Sequence, residues 1–282
     1  MGGAALHLLK QNLPPSVTMT RAMKELCEAA VAKGVLLLPA AEPQNANAAV
    51  DAWTMELART YNKITPGRAL IYSTYQCYGR WTPRVLAEHL ADAEENDYVL
   101  GVKLVRGAYL ETEKRELLWS TIEETHHAYD SLTEAILRRK YNKLLRPGSN
   151  TAREASRFPE VNLVLATHNA ASVQAARSIR SNQLGRGEQL VPLYYAQLQG
   201  MADEISCALV NVDHDVSGRQ EMINADKPKV YKYCAWGTLR QCLTYLLRRA
   251  AENKDAMSRT VDTRHAMRLE LMRRFKNTLG LF

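Results

Sequence analysis

Arg106-Gly107-Ala108-Tyr109 follows directly on an apolar run that contains Val102, Leu104 and Val105. A guanidinium at the end of a strand attracts anions and presents paired N–H donors. A glycine beside it lets the backbone come close to a bound group. Helix-forming residues follow, so Val102–Arg115 reads as a strand that runs straight into a helix, where α/β barrels place their ligands. An ordinary strand-to-helix turn has the same composition.

Three further segments carry chemistry in similar positions. Tyr75-Gln76-Cys77-Tyr78 closes a second apolar run, and the Gln76 amide can donate to and accept from a heteroaromatic ring or satisfy loop backbone. Ala166-Thr167-His168-Asn169 closes a third, where His168 is either a base or a hydrogen-bonded structural residue. Gln197-Leu198-Gln199-Gly200-Met201 ends another run in the same style. Farther on, Tyr245, Arg249 and Glu252 share one helix face with Arg248 at its margin. Adjacent arginines can clamp a carboxylate and a tyrosine one turn earlier can wall the pocket. A surface helix with an internal Arg–Glu pair fits this spacing equally.

The elements that must position these groups alternate regularly. Strands are predicted at Val35–Pro39, Ala69–Tyr75, Val99–Val105, Val161–Ala166, Leu193–Gln197 and Lys229–Tyr233. Helices are predicted at Arg21–Ala32, Ala48–Tyr61, Pro83–Glu95, Glu113–Leu144, Ala171–Arg180, Ala202–Val210, Leu239–Asn253 and Thr263–Asn277. Repeated strand–helix units imply a parallel sheet with helices outside it. Thr82-Pro83 opens one helix and Gly34 closes another. Loops are predicted at Arg146–Asn150 and Asn182–Gly187, and an inserted polar loop at Asp213–Asp226.

A chain of 282 residues with 46% hydrophobic and 24% charged residues is ordinary for a globular protein. No run approaches the ~18 apolar residues of a membrane span, and Met1–Pro15 does not read as a targeting segment. The net charge of +7 is spread along the chain, unlike the concentrated patch of a nucleic-acid binder. Its small clusters, such as Arg138-Arg139-Lys140, suit solvated helix faces, an anionic cofactor or a membrane surface. Five cysteines without a CxxC pair indicate neither a disulfide framework nor zinc, and fit a reducing compartment. His126 and His127 are adjacent, so they do not share a helix face for metal binding.

KLVRGAYL (Lys103–Leu110), TYQCY (Thr74–Tyr78), ATHN (Ala166–Asn169), QLQGMAD (Gln197–Asp203) and YLLRRAAEN (Tyr245–Asn253) occur in that spatially suggestive set, and with AVDAWTMELARTYN (Ala49–Asn62) the chain resembles the proline dehydrogenase family, especially its mitochondrial fungal branch. The resemblance runs from about Gly34 to Glu252. It implies a distorted β/α (TIM-like) barrel over residues 34–282, preceded by an N-terminal segment and first helix over residues 1–33. It also implies FAD across the C-terminal strand ends, and oxidation of L-proline to pyrroline-5-carboxylate as the first step of proline catabolism. Electrons would pass to a membrane quinone, with a mitochondrial location and peripheral contact with the inner membrane. By motif position, Ala41, Gln76, Arg106, Gly107, Ala108, Thr167 and His168 are implied FAD contacts. Lys103 is the implied catalytic cation beside the reactive part of the flavin, and no metal is implied. Arg248 and Arg249 would clamp the substrate carboxylate, and Tyr233 and Tyr245 would close its pocket.

The sequence departs from the family in three places. No segment before Gly34 matches the lysine-bearing first barrel strand. Ala40 stands where the family has aspartate in an Asp-Ala-Glu strand end, although Ala41 and Glu42 match. Tyr233-Cys234-Ala235-Trp236-Gly237 lacks the usual proline before the aromatic. These departures imply a barrel without its first strand, with Leu36–Pro39 as an exposed edge unless Ala4–Leu9 covers it. They also imply an alternative function, that of a catalytically impaired relative that retains FAD or partner binding.

Overall fold

The computed structural model describes residues 3–64, 67–147, 157–211, 226–252 and 260–278. The chain divides into two compact units, Met1–Tyr194 and Tyr195–Phe282.

The first unit opens with three helices, α1 (Gly3–Lys10), α2 (Val17–Lys33) and α3 (Gln44–Tyr61). Strands and helices then alternate as β1 (Tyr72–Gln76), α4 (Thr82–Glu95), β2 (Leu100–Val105), α5 (Ile122–Arg138), β3 (Val161–Ala166) and α6 (Ala170–Gly185). The chain then enters β4 (Leu193–Leu198), whose first residues end this unit.

Local chemistry sets the helix ends. Ser16 accepts from the Met19 amide at the start of α2, and Gly34, at φ +64°, takes the left-handed turn that ends it. Proline sits in the first turn of α4. Thr121 and Glu124 form a reciprocal capping box on α5, and Asn169 caps α6 through the Ser172 amide.

Strands β1, β2 and β3 lie side by side and parallel. In register, Thr74 lies beside Lys103 and Lys103 beside Val164. Alternation therefore puts Thr74, Gln76, Lys103 and Val164 on one face. The other face carries Tyr75, Val102, Leu104, Leu163 and Leu165, all buried, and α4 and α5 pack on the sheet with Leu86, Leu90, Leu132 and Ile136 buried. Two asparagines tie the entry side of the sheet. Asn62 donates to Ile71 and Val99 carbonyls and accepts from Leu70 and Ile71 amides. Asn162 of β3 accepts from the Ala69 amide at 2.9 Å.

The structure corrects four sequence-based expectations. First, Val35–Pro39 is not a strand. Leu37 alone pairs, as a single parallel bridge to Ile71, and Pro39 has no N–H to extend the ladder. The Pro39 carbonyl is instead taken by the Thr74 hydroxyl at 2.7 Å. Val35 and Leu38 are exposed, while Leu37 is partly buried against Cys27 and Ala30 of α2; α1 packs through Leu9 on Ala46 and Ala49 of α3. The sheet is thus open at this edge and not closed. Second, β2 does not run straight into a helix. Residues 106–121 form a loop with one short 3-10 turn at Arg115–Leu117. Third, the helix predicted over Glu113–Leu144 is confined to Ile122–Arg138 and ends with Arg139 in the left-handed region. Fourth, the loop predicted at Asn182–Gly187 is helical as far as Gly185, where Gln183 donates to the Leu137 carbonyl. The predicted insert at Asp213–Asp226 lies outside the described residues apart from Asp226.

The second unit contains the rest of β4, then α7 (Asp203–Val210), β5 (Lys229–Tyr233), α8 (Leu239–Glu252) and α9 (Thr260–Thr278). The Gln199 amide donates to the Tyr233 carbonyl at 2.9 Å. Lys232 of β5 donates to the Met201 carbonyl and pairs with Asp203 at 2.6 Å, fixing the turn that opens α7.

Candidate active site

The parallel strands of the first unit bring Gln76, Arg106 and Thr167 to the same, C-terminal end of the sheet. Arg106 is the hub of this cluster. Its Nη1 donates to Thr167 Oγ1 at 2.6 Å, its Nη2 to Ser172 Oγ at 2.8 Å and its Nε to His126 Nδ1 at 2.9 Å. The guanidinium also lies 4.4 Å from the Tyr129 ring centroid, a cation–π contact. Every edge of the planar fork is used, so its position is set by β3, α5 and α6 together. His126, set aside in sequence as a metal ligand, is one of these supports.

Gln76 ends β1 almost fully buried. Its Nε2 donates to the Glu42 carbonyl at 3.1 Å and its Oε1 accepts from the Ala108 amide at 3.2 Å. These two bonds join four of the expected positions, Gln76 and Ala108 directly and Ala41 and Gly107 through their neighbours Glu42 and Ala108. Tyr109 adds a bond from its hydroxyl to the Ala41 carbonyl at 3.0 Å. His168 follows Thr167, half-buried, at the same end of the sheet.

Gly107 has a structural reason that sequence did not supply. Its φ is +144°, and a Cβ there would meet the Tyr78 ring at 2.5 Å. The close approach it permits is to an aromatic side chain of the protein itself. Tyr78 in turn donates to Glu113 Oε1, which also accepts from the Gln44 amide at 2.8 Å, at the start of α3. The loop after β2 is therefore tied back to residues 41–44. Tyr78, Tyr109 and Glu113 were not singled out as site residues from sequence.

Lys103 lies midway along β2, half-buried and on the same face as Thr74 and Gln76. Its ammonium makes no hydrogen bond or ion pair among the described residues. Burial holds its ammonium below the usual lysine range. A half-buried cation left without a counter-charge favours any anion that reaches this face.

Asn47 and Asp51, one turn apart on α3, were also missed. Asn47 Nδ2 donates to Asp51 Oδ2 at 2.9 Å, and Asn47 Oδ1 accepts from the Glu42 amide at 2.9 Å. Burial pushes the Asp51 carboxyl up to about 7, against the opposing bond from Asn47. The spacing of an amide and a carboxylate at i and i+4 was the available signal.

In the second unit, Tyr245 donates to the Tyr233 hydroxyl at 3.2 Å, and the rings sit 6.4 Å apart. The two tyrosines expected to act together are adjacent. Arg248 and Arg249 belong to the backbone of α8, but their side chains lie outside the described residues.

Comparison with known proteins decides the family. The family model described as proline dehydrogenase matches residues 4–262.

The chain belongs to the proline dehydrogenase family.

Among its relatives, a probable mitochondrial proline dehydrogenase of Schizosaccharomyces pombe is 32% identical over 253 residues, covering 89% of this chain and 49% of that protein. The mitochondrial proline dehydrogenase 1 of Homo sapiens is 30% identical over 258 residues, covering 92% of this chain and 39% of that protein. The chain thus spans about half the length, or less, of these proline dehydrogenases. Proline utilization A from Bdellovibrio bacteriovorus, in a crystal structure of the form inactivated by N-propargylglycine, aligns with a TM-score of 0.58 at 18% identity, covering 84% of this chain and 22% of that one. The match to that structure establishes a shared α/β fold with a parallel sheet. Within the proline dehydrogenase framework, the seven positions expected to face FAD all lie in the first unit, and the four expected to face substrate all lie in the second.

Proposed function

We propose that the chain is a flavin-dependent dehydrogenase that oxidises L-proline to pyrroline-5-carboxylate, the first step of proline catabolism, in mitochondria and with a membrane quinone as electron acceptor. Family membership supports the reaction class. The mitochondrial relatives support the location. The distorted barrel belongs to the same reading, as the form of which the open parallel sheet is a part.

The observation that carries the cofactor assignment is Lys103. Its ammonium has no described partner and sits on the face shared with Gln76, which fits a group that becomes anionic on reduction. Ala41, Gln76, Arg106, Gly107, Ala108, Thr167 and His168 would hold FAD at the strand ends. When bound, FAD supplies the acceptor for the substrate hydride. Arg106 supplies fixed positive charge, held by Thr167, Ser172 and His126. Lys103 supplies a second cation without a competing carboxylate. Arg248 and Arg249 bind the proline carboxylate, and Tyr233 and Tyr245 exclude water beside it.

A second reading, a relative that holds FAD but turns proline over slowly or not at all, is favoured by Ala40, which replaces the family aspartate beside Ala41 and is exposed. Titration of the purified protein with FAD, followed by flavin fluorescence, tests the assignment common to both readings. Saturable binding at one FAD per chain is expected, weakened in Lys103→Met; no binding by the parent protein overturns both. Substrate binding is tested separately. Arg249→Ala should weaken a carboxylate-bearing proline analogue by about 1.5–3 kcal/mol, and equal affinity would remove Arg249 from the site.

A further inference from the structure

Thr167 and Ser172 offer hydroxyl oxygens to the two ends of the Arg106 fork, the Tyr129 ring lies against its plane, and the Nε edge donates to His126 Nδ1 at 2.9 Å. A guanidinium has only N–H groups to offer. His126 Nδ1 must therefore carry its lone pair, with the ring proton on Nε2 and the imidazole neutral. A protonated Nδ1 would set N–H against N–H and two like charges 2.9 Å apart.

A carboxylate is the stronger acceptor for a guanidinium edge, and one is at hand. Asp130 lies one turn on from His126 along α5, and it and Arg106 both act on the buried Cys77 thiol and Tyr129 hydroxyl. The Nε edge nevertheless goes to the imidazole, while Asp130 Oδ1 is buried without a hydrogen bond among the described residues. The two acceptors differ in charge. A carboxylate at this distance would hold the fork and cancel much of its charge, whereas an imidazole holds the fork and leaves the charge in place. His127, next in the chain, is exposed, and its Nε2 meets Ser131 Oγ at 3.4 Å instead.

We propose that His126 is a positioning residue that holds Arg106 as a neutral acceptor, so that the guanidinium meets the group bound at the strand ends both fixed in place and with its charge uncancelled by that bond. This rests on the flavin-binding reading for its ligand but concerns a residue outside the set that would touch FAD.

Exchanging the acceptor separates holding from charge. His126→Asn keeps a neutral oxygen at the level of Nδ1, and FAD affinity should stay within about threefold of the parent protein. His126→Asp sets a charged oxygen at the same level. Unfolding in urea should show it no less stable than His126→Asn, while its FAD affinity falls about tenfold, the size of one charge-assisted hydrogen bond. His126→Leu, with no acceptor, should be the least stable of the three. His127→Asp puts the same charge one residue away from the fork and should leave affinity within about threefold of the parent protein. Nitrogen NMR of the parent protein should show His126 with a bare Nδ1 and a protonated Nε2. A protonated Nδ1, an unchanged affinity in His126→Asp, equal losses in His126→Asn and His126→Asp, or an equal loss in His127→Asp each overturns the inference. Absence of FAD binding by the parent protein overturns the flavin reading, while the nitrogen spectrum and the order of stabilities still decide whether His126 holds Arg106 as a neutral acceptor.

Discussion

Arg106 at the end of β2 donates to Thr167 at the end of β3 at 2.6 Å, joining two expected cofactor positions that are 61 residues apart in the chain. Thr167→Val removes the acceptor and leaves the volume. Unfolding in urea should show a loss of about 1.5–3 kcal/mol, the range for a hydrogen bond to a charged group. Arg106→Lys should cost more, because an ammonium cannot reproduce the three-sided fork to Thr167, Ser172 and His126. If lysine is tolerated as well as arginine, the cluster is not held by the fork.

Gly107 is restricted twice, by its φ of +144° and by the Tyr78 ring 2.5 Å from where a Cβ would lie. Gly107→Ala should destabilise by about 1–3 kcal/mol. Combining it with Tyr78→Ala separates the causes. The ring contribution disappears in the double variant and the backbone contribution stays. A coupling of zero in the double-mutant cycle would assign the whole cost to the backbone.

Asn62 donates to two backbone carbonyls and accepts from two backbone amides at once. Asn62→Ala should cost about 3–5 kcal/mol, since several buried groups lose their partner together. Chemical denaturation measures this directly, and a loss below about 1 kcal/mol would show that the chain ends before β1 and β2 are held by other means.

Asp51 and His89 give opposite pH dependences. The Asp51 carboxyl is raised from 3.8 to about 7 by burial, so the folded protein keeps a proton that the unfolded chain has released. Its contribution to stability is complete below 3.8 and is lost as pH rises to about 7. His89 is lowered from 6.5 to about 4, mainly by burial, while its Nδ1 meets the Tyr75 hydroxyl at 2.8 Å. It is neutral in the fold, so its contribution is lost as pH falls from 6.5 towards 4. Unfolding free energies measured across this range should rise more steeply with pH in Asp51→Asn than in the parent protein. In His89→Gln they should fall towards neutral pH. Parallel profiles in all three proteins would remove both assignments.

The limits of the sequence follow from where each bond goes. Strands β3 and β5 were legible to the residue, because short apolar or alternating runs end at turn-forming or polar residues. The site ends of β1, β2 and β3 were legible because their side chains are adjacent in motifs. The loop after Arg106 was not. Its Glu-Thr-Glu-Lys-Arg composition favours helix locally, but Tyr109 and Glu113 bond to residues 68 and 69 positions earlier. The bond from Gln76 to the Glu42 carbonyl escaped notice for the same reason, since it spans 34 positions. The segment at Leu37 reads as an edge strand that tolerates Pro39, because nothing in its apolar run shows that the Thr74 hydroxyl takes the Pro39 carbonyl in place of the ladder.

Lys103→Met should lower the two-electron potential of bound flavin, because the cation favours the anionic reduced form. A shift of about 20–60 mV corresponds to about 1–3 kcal/mol. Potentiometric titration of the FAD-loaded protein measures it, and an unchanged potential would place Lys103 away from the flavin.

Anaerobic addition of L-proline to the FAD-loaded protein, followed at the visible absorbance of the flavin, tests the dehydrogenase reading most directly. The expected result is loss of the oxidised flavin band, saturating with proline. A spectrum that stays oxidised at high proline, in a protein shown to hold FAD, contradicts it.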